Sequence, residues 1–462
     1  MAKKKKQIYQ CTGCGHQEPK WLGRCPSCGE WNTFVEVEAS PAAAASSGLQ
    51  RADGPVRLTE VAEAQSTRRS SGIGELDRVL GGGIMSGASV LIGGEPGIGK
   101  STLMLQMAAA VTGRRVLYIS GEESAGQIRA RADRLGVTSS DLEVLCETDL
   151  SAITHSLNKI GPTLVIVDSI QTLHSEDAGP IPGTVNQIKY CCFEITEWAR
   201  NHNAGVFLVA HVTKEGSIAG PKLIEHMVDT VLYFEQSGTD VRFLRSTKNR
   251  FGATEEVGLF SMAERGLEEV TDPASVFLVR REGGLPAGVV AAPVYEGSRI
   301  LLVELQALTV PAKSGVSRTF SDRIDASRVS RIAAVLEKHV GLRFSDQDVY
   351  VNVAGGMRIT EVGVELPLAL ALYSARTGLP LPDATIVTGE VSLAGEIRPV
   401  AHLRRRIRTA REMGYSRCIG PSHLRSGEEA GEEWQRVATI SESIAAVFGT
   451  EKTRRPDRAG AS

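Results

Sequence analysis

Between about Leu58 and Ala263, short runs of consecutive apolar residues alternate with longer stretches whose apolar positions recur at helical spacing. The runs Ala88–Gly93, Val116–Ser120, Leu164–Asp168, Gly205–Ala210 and Thr230–Glu235 are short and uniformly apolar, which predicts strands buried on both faces. Ser101–Thr112 and Asn186–Asn201 predict helices between them. This alternation predicts an α/β fold with a mostly parallel sheet covered by helices on both faces. From Pro273 to Thr450 a second folded unit is expected, of α+β type, with strands near Ile300–Leu308, Val349–Asn352 and Thr385–Thr388. Its helices are expected near Ser327–His339, Glu365–Ala375 and Val400–Met413. Residues 8–36 are dense in Cys, Gly and Trp and too short for a hydrophobic core, which points to a metal staple. Residues 37–57 form a linker that includes the small-residue stretch Ser40–Gly54, the α/β fold is placed at 58–268, the second unit at 273–450 and a polar tail at 451–462.

Composition narrows this picture. The 462 residues are 42% hydrophobic and 23% charged, as in ordinary globular proteins, and the net charge is -2. Near-neutrality excludes a uniformly basic coat, so any nucleic-acid contact must come from local patches. No apolar run approaches the ~18 residues needed to cross a bilayer, and Val362–Ala375, interrupted by Glu365, reads as a buried helix. The run Lys3–Lys6 has no apolar stretch behind it, unlike a secretory signal. Four of the eight cysteines form two close pairs and the others are scattered, the usage of a reducing compartment. A cytoplasmic protein without membrane attachment is expected.

The octapeptide Gly94-Glu95-Pro96-Gly97-Ile98-Gly99-Lys100-Ser101 follows an expected strand and precedes a helix that continues through Thr102. Backbone N–H groups of such a loop wrap a β-phosphate closely, which favours glycine. Lys100 then reaches the β/γ-phosphates and Ser101 offers a hydroxyl to Mg²⁺. A glycine-rich turn with a chance lysine is the plain alternative. Asp168, at the carboxyl end of an apolar strand, is the expected second Mg²⁺ ligand. Gly121-Glu122-Glu123 ends a strand at the same sheet edge, making Glu122 the first choice for the base that orients water and Glu123 the second. Each could equally be a solvated acidic turn.

Cys11-x-x-Cys14 and Cys25-x-x-Cys28 present four thiolates, the set of a closed tetrahedral Zn²⁺ site. A redox dithiol is the alternative, but no βαβ unit surrounds the pairs. Trp21, Trp31 and Lys3–Lys6 would suit base stacking or docking to a protein, or form a miniature core and a solubilising tail.

These residues reach a family. Cys11–Cys14, Trp21-Leu-Gly-Arg-Cys25-Pro-Ser-Cys28-Gly-Glu-Trp31, Ser71-Gly-Ile-Gly-Glu-Leu-Asp77, the phosphate loop, Ser120–Ser124, Asp168-Ser-Ile-Gln-Thr172 and above all Lys248-Asn-Arg-Phe-Gly252 occur in this order. Over nearly its whole length the chain resembles the bacterial RadA (Sms) DNA-repair proteins, relatives of the RecA recombinase. The resemblance implies a RecA-like P-loop ATPase with an N-terminal zinc ribbon. It further implies a DNA-dependent ATPase, assembled as a hexameric ring. Such a ring would bind single-stranded DNA and drive branch migration of recombination intermediates alongside RecA. Lys248 and Arg250, two apart on an extended segment, would both reach a neighbour's γ-phosphate. A solvated basic turn is the alternative. His211 resembles the polar sensor of such motors, although a histidine at a strand end is more often structural. The loop Thr213–Lys222 and the segment His174–Gly183 are candidate DNA loops, with Lys214, Lys222 and Arg245 as phosphate contacts.

Thr388–Val400 is similar to a stretch of the Lon protease domain. The segment matching that domain's catalytic lysine, Ala401–Arg406, holds no lysine, and the segment matching its nucleophile, Thr360–Pro367, holds no serine. Arginine stays protonated and cannot replace the basic lysine, so peptidase activity is not expected. What remains is a cationic edge, Arg398, Arg404, Arg405, Arg406, Arg408 and Arg411, either a solvated face or a DNA track; Arg404, Arg408 and Arg411 share one helix face. An ATP-dependent protease and a nucleotide switch without motor activity are the competing readings.

Overall fold

The computed structural model describes residues 7–12, 17–18, 20–26, 31–38, 68–139, 141–211, 222, 224–236, 240–279, 281–313, 316–424 and 434–449. The expected linker stretch Ser40–Gly54, the tail 451–462, the run Lys3–Lys6, the ligands Cys14 and Cys28, and Lys214 lie outside the described residues. The chain divides into two compact units, 1–235 with 244–254 and 263–267, and 236–243 with 255–262 and 268–462.

In the first unit six strands lie parallel in the order Thr230–Gln236, Ser89–Gly94, Gly205–His211, Leu164–Asp168, Val116–Ser120 and Leu142–Cys146. Four of these strands are buried at all or nearly all positions, as their apolar sequences dictate, whereas the last, Leu142–Cys146, stays partly exposed. The sequence reading did not single out this strand, because Leu142-Glu-Val-Leu-Cys146 mixes a charge into a short run. Helices return between strands with local stop and start signals. Ser124 and Gln127 form a reciprocal capping box for Ala125–Arg134, Asp149 caps Leu150–Ile160, and Thr184 caps Val185–Asn201. The helix expected at Ser101–Thr112 runs Lys100–Ala110, because Val111 turns extended.

A small three-stranded sheet near the N-terminus pairs Gln7–Cys11 antiparallel with both Gln17–Glu18 and Phe34–Glu38. Cys11, Cys25 and Phe34 form its buried cluster, with Tyr9 packed against it.

The second unit is built on a seven-stranded mixed sheet whose centre is the antiparallel pair Val289–Glu296 and Arg299–Pro311. Thr385–Val387, Arg417–Pro421 and Trp434–Val437 continue it in parallel on one side; on the other, Gln347–Val353 pairs antiparallel with Arg299–Pro311 and Thr319–Ser321 pairs parallel with Gln347–Val353. The helix Glu365–Thr377 buries ten consecutive residues from Glu365 to Ser374, which accounts for its lack of a polar stripe. Four strands of this sheet were not read from sequence, Val289–Glu296, Thr319–Ser321, Arg417–Pro421 and Trp434–Val437, and Pro293 in the first of them argues against a central strand. The helix expected from Val400 begins at Leu403, because His402 takes a left-handed backbone (φ 59) just before it. One expectation is overturned. Arg406 is not on the cationic edge: with Leu403 and Ala410 it faces inward and is 1% exposed, while Arg404, Arg405, Arg408 and Arg411 face solvent. No helix among the described residues is long and apolar enough to cross a membrane.

Candidate functional site: a phosphate loop wired to a carboxylate

The loop from Gly94 to Lys100 joins the Ser89–Gly94 strand to the helix Lys100–Ala110. Gly97 (φ 78) and Gly99 (φ 113) take left-handed backbone, which side chains rarely tolerate. Gly94 is required for a different reason. A Cβ there would lie 2.9 Å from the Phe234 carbonyl oxygen, so glycine allows the neighbouring parallel strand its approach. Ser101 and Thr102 open the helix, whose first-turn N–H groups lack intrahelical partners and suit an anion.

Lys100 is almost fully buried, and its ammonium donates to the Gly94 carbonyl (2.8 Å) and the Glu95 carbonyl (2.9 Å). Burial pushes its pKa down to about 8, against the pull of Asp168 and Glu122. The same ammonium lies 3.3 Å from His211 Nδ1, whose Nε2 lies 3.0 Å from Glu122 Oε1. With the ammonium donating, Nδ1 accepts and Nε2–H donates to the carboxylate. Ser169 Oγ, fully buried, donates to the same carboxylate oxygen at 2.5 Å. A continuous hydrogen-bond chain thus runs Lys100–His211–Glu122–Ser169. Glu123 turns away from it to pair with Arg131. Of the two carboxylates read from sequence, only Glu122 belongs to this chain.

Three further residues were not singled out from sequence. Tyr118 donates its hydroxyl to Asp168 Oδ2 at 2.5 Å, and burial, then the Asp168 charge, keeps that phenol protonated. Gln171 clamps His211 by its backbone, accepting from the amide (2.9 Å) and donating to the carbonyl (3.0 Å). Gly121 has no room for a side chain, since a Cβ would lie 1.9 Å from Thr172 Oγ1, so the Glu122 turn seats directly on the turn that follows Asp168.

Lys248 is the last residue but one of the strand Val241–Asn249, and Arg250 follows the strand. The Lys248 ammonium donates to the carbonyls of Glu225 (2.8 Å) and Val228 (2.7 Å), and burial, then the nearby Arg250 charge, lowers its pKa. Arg250, 58% exposed, donates to Asp229 Oδ1 at 3.3 Å, and the other Asp229 oxygen accepts from the Ser89 hydroxyl at 2.7 Å. The two cations are therefore neighbours, one tied down by carbonyls and one facing outward. Lys222 is exposed, and Arg245 pairs with Glu235 at 2.8 Å.

In the small N-terminal sheet the thiols of Cys11 and Cys25 are both about 1% exposed and share one cluster. Two sequestered thiols, each opening or preceding a C-x-x-C turn, fit a structural Zn²⁺. In the second unit the two segments that match the Lon dyad do meet, but as an ion pair. Arg406 donates to both oxygens of Glu361 and to the Pro293 carbonyl, and Glu361 also accepts from the Tyr295 amide at 2.7 Å.

Comparison with known proteins agrees with this architecture. Residues 57–217 match the family model "AAA domain", 9–36 match "Rubredoxin metal binding domain", and 321–423 match "Subunit ChlI of Mg-chelatase". The chain is 51% identical over 455 residues to the DNA repair protein RadA of Treponema pallidum, covering 98% of this chain and 100% of that one. It is 44% identical over 456 residues to the DNA repair protein RadA of Bacillus subtilis, covering 96% and 99%. A solved structure described as the RadB recombinase aligns at 24% identity with a TM-score of 0.36, over 44% of this chain and 99% of that one. With its RecA-like P-loop ATPase, zinc ribbon and Lon-like C-terminal unit, the chain belongs to the DNA repair protein RadA family.

Proposed function

We propose that this protein is a DNA-dependent ATPase that drives branch migration of recombination intermediates, working as a hexameric ring alongside RecA in the cytoplasm. The observation that carries the reading is the Lys100–His211–Glu122–Ser169 chain, which connects the phosphate-binding ammonium to a candidate base. Binding of ATP at Gly94–Thr102 draws Lys100 off the Gly94 and Glu95 carbonyls and off His211. His211 then answers to the γ-phosphate instead of to the lysine, and so reports nucleotide state. Glu122, held by Ser169, orients and deprotonates the attacking water. Mg²⁺, held by Ser101 and Asp168, would neutralise charge on the phosphate oxygens.

Arg250 is the outward cation suited to a neighbour's γ-phosphate, and Lys248, fixed two residues away, is its partner in that role. Single-stranded DNA is met by Lys214, Lys222 and Arg245, and duplex by Arg404 and Arg408. Zn²⁺ is held by Cys11, Cys14, Cys25 and Cys28. No peptidase activity is assigned, because the Arg406–Glu361 pair offers neither nucleophile nor basic amine where a Ser–Lys dyad would sit. ATP turnover measured with and without single-stranded DNA tests the reading. Wild type is stimulated, Lys100→Ala is inactive under both conditions, and Lys248→Ala and Arg250→Ala lose about 1000-fold. Turnover indifferent to DNA favours a nucleotide switch, and full activity of both cation variants removes the cross-subunit role.

A further inference from the structure

Among the described residues, the small N-terminal sheet carries an exposed aromatic surface. Trp31 is 70% exposed and Trp21 51% exposed, with Leu22 beside them. The Trp21 indole N–H donates to the Phe34 carbonyl at 3.1 Å, which fixes that ring against the sheet. Arg24 and Trp31 form a backbone bridge, the Asn32 amide donates to the Gly23 carbonyl at 2.8 Å, and the Arg24 guanidinium sits 5.7 Å from the Trp31 ring centroid. Both indoles close on Gly23: a Cβ there would lie 3.8 Å from Trp21 and 4.0 Å from Trp31. Lys20, exposed, flanks the group.

Large flat apolar rings left in water are costly unless a partner covers them. Here the rings are pinned and the charges beside them, Lys20 and Arg24, are cationic. Stacking platforms flanked by cations match unpaired bases joined by phosphates, since any base offers a π-face and each phosphate an anion. We propose that Trp31 and Trp21, with Arg24 and Lys20, form a stacking site for unpaired nucleobases of single-stranded DNA. This rests on the reading of the chain as a single-strand-dependent motor and adds a second place where the strand is held, outside the ATPase unit's loops.

The test uses the full-length protein without nucleotide and two oligomers of equal length, oligo(dT) and its abasic counterpart, which carries the same phosphates without bases. Trp198 and Trp434 are buried, each 7% exposed, so quenching of indole fluorescence reports on Trp21 and Trp31. Oligo(dT) is expected to quench and the abasic strand to leave fluorescence unchanged. Trp31→Ala is expected to weaken oligo(dT) binding about tenfold, Trp31→Phe to restore most of it, and neither to change abasic binding. Unchanged oligo(dT) affinity in Trp31→Ala, or equal loss for both oligomers, overturns the site and leaves the surface to a protein partner. DNA-stimulated turnover failing in the wild type would strike the motor reading, whereas quenching reads the stacking site directly.

Discussion

Two clusters of buried charge use the same chemistry for opposite ends. At the sheet edge of the first unit, the buried Lys100 is shared among carbonyls and a histidine, and Glu122, beyond that histidine, remains 42% exposed. In the second unit, Arg406 is 1% exposed and closed off by Glu361 and a carbonyl, while Glu365, equally buried, is held by Arg331 and the Val391 amide. The first cluster has partners that a phosphate can replace. The second has partners already saturated. Burial of charge therefore does not mark a reactive site by itself; what marks it is a carboxylate or cation with an opening to a ligand.

The sharpest way to break this contrast is to remove one carboxylate from each cluster. Glu361→Ala strands the Arg406 guanidinium in the interior and is expected to cost about 3–5 kcal/mol of stability, seen as a fall in the denaturation midpoint. Glu122→Gln is expected to leave that midpoint nearly unchanged yet slow turnover about 100-fold. If both variants lost stability alike, Glu122 would be a structural anchor and the contrast would fail.

A second probe uses pH. Below about 8 the buried Lys100 carries its proton and meets the phosphates as a cation; above it the nucleotide-free protein holds a neutral amine. The ratio kcat/KM for ATP, which reads the free protein, is expected to fall about tenfold per unit above pH 8, with kcat much flatter because bound phosphates retain the proton. Since the amine's ordinary value is 10.5, the unfolded chain binds the extra proton between about 8 and 10.5. This group's effect on stability therefore improves with rising pH in that window. A flat kcat/KM to pH 9 would deny Lys100 its depressed pKa. The smallest effect is expected at Tyr118, where Phe removes the hydroxyl from Asp168 and should raise the Mg²⁺ concentration for half-maximal turnover several-fold. An unchanged Mg²⁺ requirement would make the phenol a packing group only.

What was legible in the sequence was local. The phosphate loop declares itself because its glycines, lysine and serine are consecutive, and the parallel strands because they are apolar throughout. Of the hydrogen-bond chain, Lys100, His211 and Glu122 were legible and Ser169 was not, since Ser169, like the Gln171 that clamps His211, gains meaning only from strand register. Tyr118 stands opposite Ile166, which brings its hydroxyl diagonally to Asp168, and no spacing in the sequence reports that pairing. The arginine run misled at one position for the same kind of reason. Helical phase puts residues 403, 406 and 410 inward, and an arginine can take that place only because Glu361, 45 residues earlier, comes back to meet it.

The double hydrogen bond between Gln171 and the His211 backbone fastens the ends of two adjacent strands to each other like a rivet. If Asp168 and Lys100 meet Mg²⁺ and phosphate as proposed, a displacement of either strand end would be shared with the other through that amide, one response to two ligands.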